Sequence, residues 1–135
     1  MKTLARNKKA GRDFHILETF EAGIALEGTE VKSCRRSDMS LEDGYAVIKN
    51  NEVWLHGVHI APYEHGNIMN HEPRRPRRLL LKKREIRRIR QQTDVRGKTL
   101  IPLRCYLKGG LIKLELALAS GKTKGDKRET LKRKT

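Results

Sequence analysis

The chain has 135 residues, enough for one domain with a core of its own. Hydrophobic residues make up 36% and charged residues 35%, and the formal net charge is +15. That charge points to a polyanion, nucleic acid first, and no apolar run approaches the roughly 20 residues that span a bilayer, so no membrane partner is expected.

The positive charge is concentrated in blocks. Residues 1–12 hold five basic residues and no acid, without the hydrophobic segment of a signal peptide. They read as a basic flexible arm on a cytoplasmic protein. Residues 13–72 hold four basic residues against eleven acids. Within them Asp13–Glu27 reads as a strand interrupted by Gly23, which marks a bulge or a close backbone approach. Gly28–Arg36 reads as a short helix with Thr29 as its N-cap. Tyr45–Lys49, the turn Asn50–Asn51, and Val53–Ile60 read as a hairpin that ends before Pro62. Ala61–Pro76 has no periodicity and reads as a loop.

Residues 73–90 carry ten basic residues against one acid, Glu85. Arg74, Arg75, Arg77 and Arg78 form a cluster suited to phosphate contact. An extended Arg77–Leu81 is followed by a helix from about Lys83 to Val95, stopped by Gly97. Leu100–Leu107, Gly109–Gly110 and Leu111–Ala119 form the clearest hairpin. In its second strand Ile112, Leu114, Leu116 and Leu118 point one way, and Lys113, Glu115 and Ala117 the other. The expected fold is mainly β with peripheral helices, an OB-fold-like antiparallel β-barrel over residues 13–120. Residues 121–135 read as a basic tail, disordered when free, with Asp126 and Glu129 spaced for a capping box.

Tests for other chemistry fail. Ser120-Gly121-Lys122-Thr123 resembles the end of a phosphate-binding loop, but Leu116 stands where the first glycine belongs. His56 and His59 are three apart in an expected strand and face opposite ways, so neither a metal nor another cofactor is expected. His65 and His71 beside the arginine cluster could serve a ribonuclease, but nothing fixes their geometry. Cys34 and Cys105 have no metal or redox spacing and read as free thiols. Six aromatics are too few both to fill a core and to build a base-stacking platform. A binding protein rather than an enzyme is expected, and a structural ribosomal protein is the alternative.

Several motifs then agree with one family. Phe20-Glu21-Ala22-Gly23-Ile24 with Gly28-Thr29-Glu30-Val31-Lys32-Ser33 resembles the opening of the SmpB, or SsrA-binding protein, family. Asn7-Lys8-Lys9-Ala10, Arg78-Leu79-Leu80-Leu81 with Arg84-Glu85-Ile86, and Asp126-Lys127-Arg128 resemble its basic entry, central segment and tail signature. The resemblance implies an OB-like barrel that binds the tRNA-like part of transfer-messenger RNA and delivers it to stalled ribosomes in trans-translation. It implies as partners that RNA, the small ribosomal subunit with its rRNA, and the elongation factor acting on the charged RNA, with the protein itself a monomer.

By the same resemblance, Asn7, Lys8, Lys9, Glu21, Ala22, Gly23, Leu80 and Lys113 fall at RNA-binding positions. Gly121, Lys122, Asp126, Lys127 and Arg128 fall in the tail that senses the empty mRNA channel. Read from the residues alone, Glu21 is as well explained by pairing with a nearby lysine, and Leu80 divides between core and contact. Family members usually continue past the position of Thr135 and carry His or an aromatic where Gly125 stands. Both departures bear on tagging rather than on RNA binding.

Overall fold

Alternating burial is the local rule from which the fold grows. In β7 (Arg77–Leu80) residues 77 and 79 are buried while 78 and 80 are exposed. The computed structural model describes residues 1–65, 70–94 and 97–122. Around β7 lie β2 (Phe14–Ile24), β4 (Tyr45–Lys49), β5 (Glu52–His56), β8 (Lys98–Lys108) and β9 (Leu111–Gly121). They are hydrogen-bonded in the order β8-β4-β5-β7-β2-β9, and β9 also pairs with β8, so the row closes on itself. All of these pairings are antiparallel. Closure gives the inward side chains one shared interior, occupied by Phe20, Val53, Leu55, Leu79, Leu114 and Leu116 among others. Closing the ring also removes the free edges of an open sheet.

Both expected two-residue turns are present. Asn50 and Asn51 have φ of 53° and 62°, and Gly109 and Gly110 have 58° and 77°. Two successive positive φ values match the twist of the flanking strands, which is why Asn-Asn and Gly-Gly occupy these turns.

Four expectations need correction. The N-terminal arm is not free: β1 (Lys2–Arg6) pairs antiparallel with β8, and Leu4 is buried. The hairpin's second strand stops at His56. A Cβ on Gly57 (φ +75°) would lie 2.2 Å from the Asp43 carbonyl oxygen, so the chain turns there. It resumes as β6 (His59–Ile60), which pairs with β3 (Met39–Ser40). His56 and His59 therefore sit on different strands. The third correction concerns α2 (Gly28–Arg35), whose N-cap is Glu27 rather than Thr29. The Glu27 N–H donates to Glu30 Oε1 at 2.8 Å, while the Thr29 hydroxyl pairs with His71. Finally, the tail does not begin at 121. Gly121 ends β9 opposite Phe14, and Lys122 is tied to Asp13 and Gly11 through its N–H and its ammonium.

The third helix, α3 (Lys83–Thr93), starts where the Lys82 N–H donates to Glu85 Oε1. It seats Ile89 in the core, with Ile86 against it. Ala117, expected on the outer side of β9, does face away from the barrel interior. It is nevertheless fully buried, together with Ala10, Ile101 and Ala119, beside α1 (Ala10–Asp13). Small side chains on that stretch let the short helix lie close.

Candidate nucleic-acid interface

Strand register assembles the surface. Gly23 of β2 lies opposite Leu80 of β7 on one side and Lys113 of β9 on the other. Directly opposed residues project to the same face, so Leu80, Gly23 and Lys113 form one outward row. Glu21, two residues before Gly23, shares that face. Four residues that the sequence spreads over 93 positions thus meet in one recess, whose floor continues to Lys82 and Glu85 at the start of α3.

Leu80 is 47% exposed on the outward face and takes no part in the core, where burial was the stronger expectation. A Cβ on Gly23 would stand 3.2 Å from Leu80 Cβ. The close approach that glycine permits at this position is therefore Leu80's own. Lys113 is half-buried and projects beside it.

Glu21 has a structural task. The Tyr106 hydroxyl donates to Glu21 Oε2 at 2.5 Å, and the Lys108 ammonium lies 3.2 Å from the same oxygen. The Tyr106 bond, then Lys108, hold the Glu21 carboxyl below its ordinary range. Burial, reinforced by Glu21, pushes the Tyr106 hydroxyl up. Arg104 covers the Tyr106 ring at 4.7 Å and reaches Glu115 at 3.5 Å. The pairing with a nearby lysine is thus the geometry adopted, and the tyrosine is an additional partner.

Other expected RNA-binding positions turn out differently. Ala22 is fully buried opposite Leu114, on the inner face, and cannot touch a ligand. Arg77 is also fully buried. Its Nε donates to Glu30 Oε2 at 2.6 Å, and its terminal nitrogens donate to the carbonyls of Val58 and Pro73. Arg75 grips the other side of the same carboxylate, at 2.5 Å from Glu30 Oε1. Burial pushes the Glu30 carboxyl up, but Arg75, the Glu27 N–H and Arg77 outweigh it, and the group ends below its ordinary value. Arg74 donates to the Gly57 carbonyl and lies 3.8 Å from Asp43. Arg78 lies 3.6 Å from Glu52. Arg75 and Arg77 thus form an internal clamp on Glu30, because the acidic segment folds back onto them, whereas the side chains of Arg74 and Arg78 stay about half exposed at the surface.

At the N-terminus Asn7 is a clip. Its side-chain amide donates to the Pro102 carbonyl at 2.9 Å and its backbone N–H to the Leu103 carbonyl. Lys8 and Lys9 remain exposed. Asp126, Lys127 and Arg128, with the expected capping box and tail disorder, lie outside the described residues.

Of the two histidines considered for ribonuclease chemistry, His65 is exposed beside Glu64. His71 is buried, with Nδ1 2.8 Å from the Thr29 hydroxyl and Nε2 2.8 Å from the Ile60 carbonyl, so both ring nitrogens are occupied. Among the described residues no group of three or more His, Cys, Asp or Glu is placed to hold a metal ion. Cys34 and Cys105 are buried, and burial pushes both thiols up to about 12. Of the six aromatics only Tyr45 is exposed, which leaves no stacking platform.

Reasoning from sequence missed Tyr106, Lys108 and Arg104 as the support of Glu21. The signal was available: a two-residue Gly109–Gly110 turn sets Leu107 opposite Ile112 and hence Tyr106 opposite Lys113.

The chain matches the family model described as "SmpB protein" over residues 4–135. It is 59% identical over 131 residues to the SsrA-binding protein of Lacticaseibacillus casei (strain BL23), covering 97% of this chain and 83% of that protein. It is 54% identical over 134 residues to the SsrA-binding protein of Trichodesmium erythraeum (strain IMS101), covering 98% of this chain and 86% of that one. A chain of the solved structure described as "tmRNA-SmpB: a journey to the center of the bacterial ribosome" superposes with a TM-score of 0.74 at 43% identity, covering 95% of this chain and 94% of that chain.

Proposed function

The chain belongs to the SmpB protein family, and on that premise we propose that it is an RNA-binding adaptor of ribosome rescue. It grips the tRNA-like domain of transfer-messenger RNA and brings it, with the elongation factor on the charged RNA, to a stalled ribosome in the bacterial cytoplasm. The observation that carries this reading is the Leu80–Gly23–Lys113 row beside Glu21, four family RNA-binding positions converging in one recess from three strands.

The recess suits a folded RNA. Lys113 supplies a cation for a phosphate. Leu80 supplies an apolar surface for a sugar edge or a base face. Glu21, fixed by Tyr106 and Lys108, keeps part of its carboxylate exposed to accept from a base amino group or a 2′-OH. The role is binding, and no catalytic step is assigned to it. The tail from Thr123 onward, with Asp126, Lys127 and Arg128, occupies the vacant mRNA channel and reports that no codon is present. Its support is the tail signature in the sequence.

The test is competitive binding of the purified protein to the tRNA-like domain across a salt series, with ordinary tRNA and a plain RNA duplex as competitors. Tight binding that survives both competitors near physiological salt is expected. Equal affinity for all three RNAs, collapsing together as salt rises, would reduce the interaction to counterion release and favour a structural ribosomal protein.

A further inference from the structure

The basic block at residues 73–90 splits into two halves with different fates. In its first half Glu30 holds Arg75 and Arg77, while Arg74 and Arg78 lie at the surface 3.8 Å from Asp43 and 3.6 Å from Glu52. Its second half lies on α3. There Arg88 is held by Glu18 at 2.7 Å and Arg90 by Asn51. The side chains of Lys83, Arg84 and Arg87 are exposed and make no hydrogen bond or ion pair with any described residue.

Their spacing makes the isolation costly. Lys83 and Arg87 stand four apart on the helix, Arg84 and Arg87 three apart, and Arg84 and Arg88 four apart. Residues three and four apart face one another, and like charges at those spacings destabilise a helix. The only acid within α3, Glu85, accepts from the Lys82 N–H at the helix start. The fold thus keeps a self-repelling cationic strip that internal stability does not favour.

The helix that carries the strip also borders the recess already described. Lys82 and Glu85 line the recess of Leu80 and Lys113. Around the helix from there, Lys83, Ile86, Arg87 and Arg90 line a second depression beside Asn51. From Lys82 to Arg90 the helix presents cations over about 12 Å of its length.

We propose that Lys83, Arg84 and Arg87 form a second phosphate-binding track, which takes the backbone of the same folded RNA that occupies the Leu80–Lys113 recess. This rests on the adaptor reading. The RNA offsets the repulsion that the helix carries when free, so the strip trades stability for affinity.

The experiment uses the full chain, the Lys113→Ala variant, and the triple variant Lys83→Gln, Arg84→Gln, Arg87→Gln. Affinity for the tRNA-like domain is measured across a salt series, and thermal unfolding is recorded for each protein. The triple variant is expected to bind about tenfold more weakly at physiological salt, and its salt slope to fall by about two to three units. Its melting temperature is expected to be unchanged or higher, which separates lost contacts from lost folding. A charge-preserving Arg84→Lys, Arg87→Lys variant should keep the slope. An unchanged affinity and slope in the triple variant, while Lys113→Ala still weakens binding, overturns the track alone. If only ribosome binding weakens, the strip serves ribosomal RNA and this assignment is wrong. If wild type does not discriminate the tRNA-like domain at all, the adaptor reading falls and the track falls with it.

Discussion

Glu30 accepts from two guanidinium groups and a backbone N–H while its side chain is 0% exposed. Removing one partner of such a buried group leaves uncompensated charge, typically about 3–5 kcal/mol. Glu30→Gln is expected to destabilise the protein by that order, read as a lower urea midpoint at constant slope. Because the folded Glu30 carboxyl lies below its ordinary value of 4.5, its contribution is present above that pH. It is lost as pH falls from there through the folded value. The wild type should therefore lose stability over that acid range, and Glu30→Gln should show a shallower loss. Gly57→Ala is a second stability test. The positive φ and the Asp43 carbonyl at 2.2 Å leave no room for a Cβ, and a loss of about 1–3 kcal/mol is expected on urea unfolding. Lys113→Ala is different in kind. It sits on the outward row and should leave stability alone while lowering the salt slope of RNA binding by about one unit. An unchanged slope would remove Lys113 from the phosphate contacts.

At the scale of elements, β9 and the tail must be separated at the right residue. Gly121 is paired in β9 and Lys122 is bonded to the α1 region, so a deletion starting at 121 would damage the barrel as well as the tail. Deleting residues 123–135 is the cleaner cut. It should leave affinity for the tRNA-like domain within about threefold, provided no more than one phosphate contact is lost, and abolish tagging on stalled ribosomes. Loss of most RNA affinity on that deletion would contradict the division of labour between barrel and tail. The two hairpins were legible in sequence because their turns are encoded locally, in Asn50–Asn51 and Gly109–Gly110. Strand β1 was not legible. Its pairing partner β8 begins more than ninety residues later, and a short basic segment carries no pattern that names such a partner.

For the whole molecule, charge in the sequence and charge on the surface are distributed differently. The acidic stretch supplies Glu18, Glu30, Asp43 and Glu52 to the basic block, which neutralises much of it. Lys8, Lys9, Lys83, Arg84 and Arg87 stay exposed and Lys113 half-buried, outside that arrangement. A net charge of +15 on a chain of this size repels itself at low ionic strength. The melting temperature of the free protein is therefore expected to rise between about 0.01 M and 0.15 M salt, as the Debye length shortens from roughly 30 Å to 8 Å. A melting temperature that falls over that interval would mean that the ion pairs outweigh the repulsion.

By itself the sequence determined the mainly β class, the positions of two helices and two hairpins, the family, and the outward placement of Lys113. These follow from short-range periodicity, turn chemistry and contiguous motifs, which a linear reading sees directly. Only the tertiary structure decided which arginines are free. Arg77 and Arg84 look alike in the chain, yet one lies fully buried against Glu30 and the other is exposed without a described partner. It likewise decided that Ala22 faces inward and that Glu21 rests on Tyr106. The reason is physical. A charge takes its meaning from the burial and the counter-charge around it, and both are set by contacts between residues far apart in sequence.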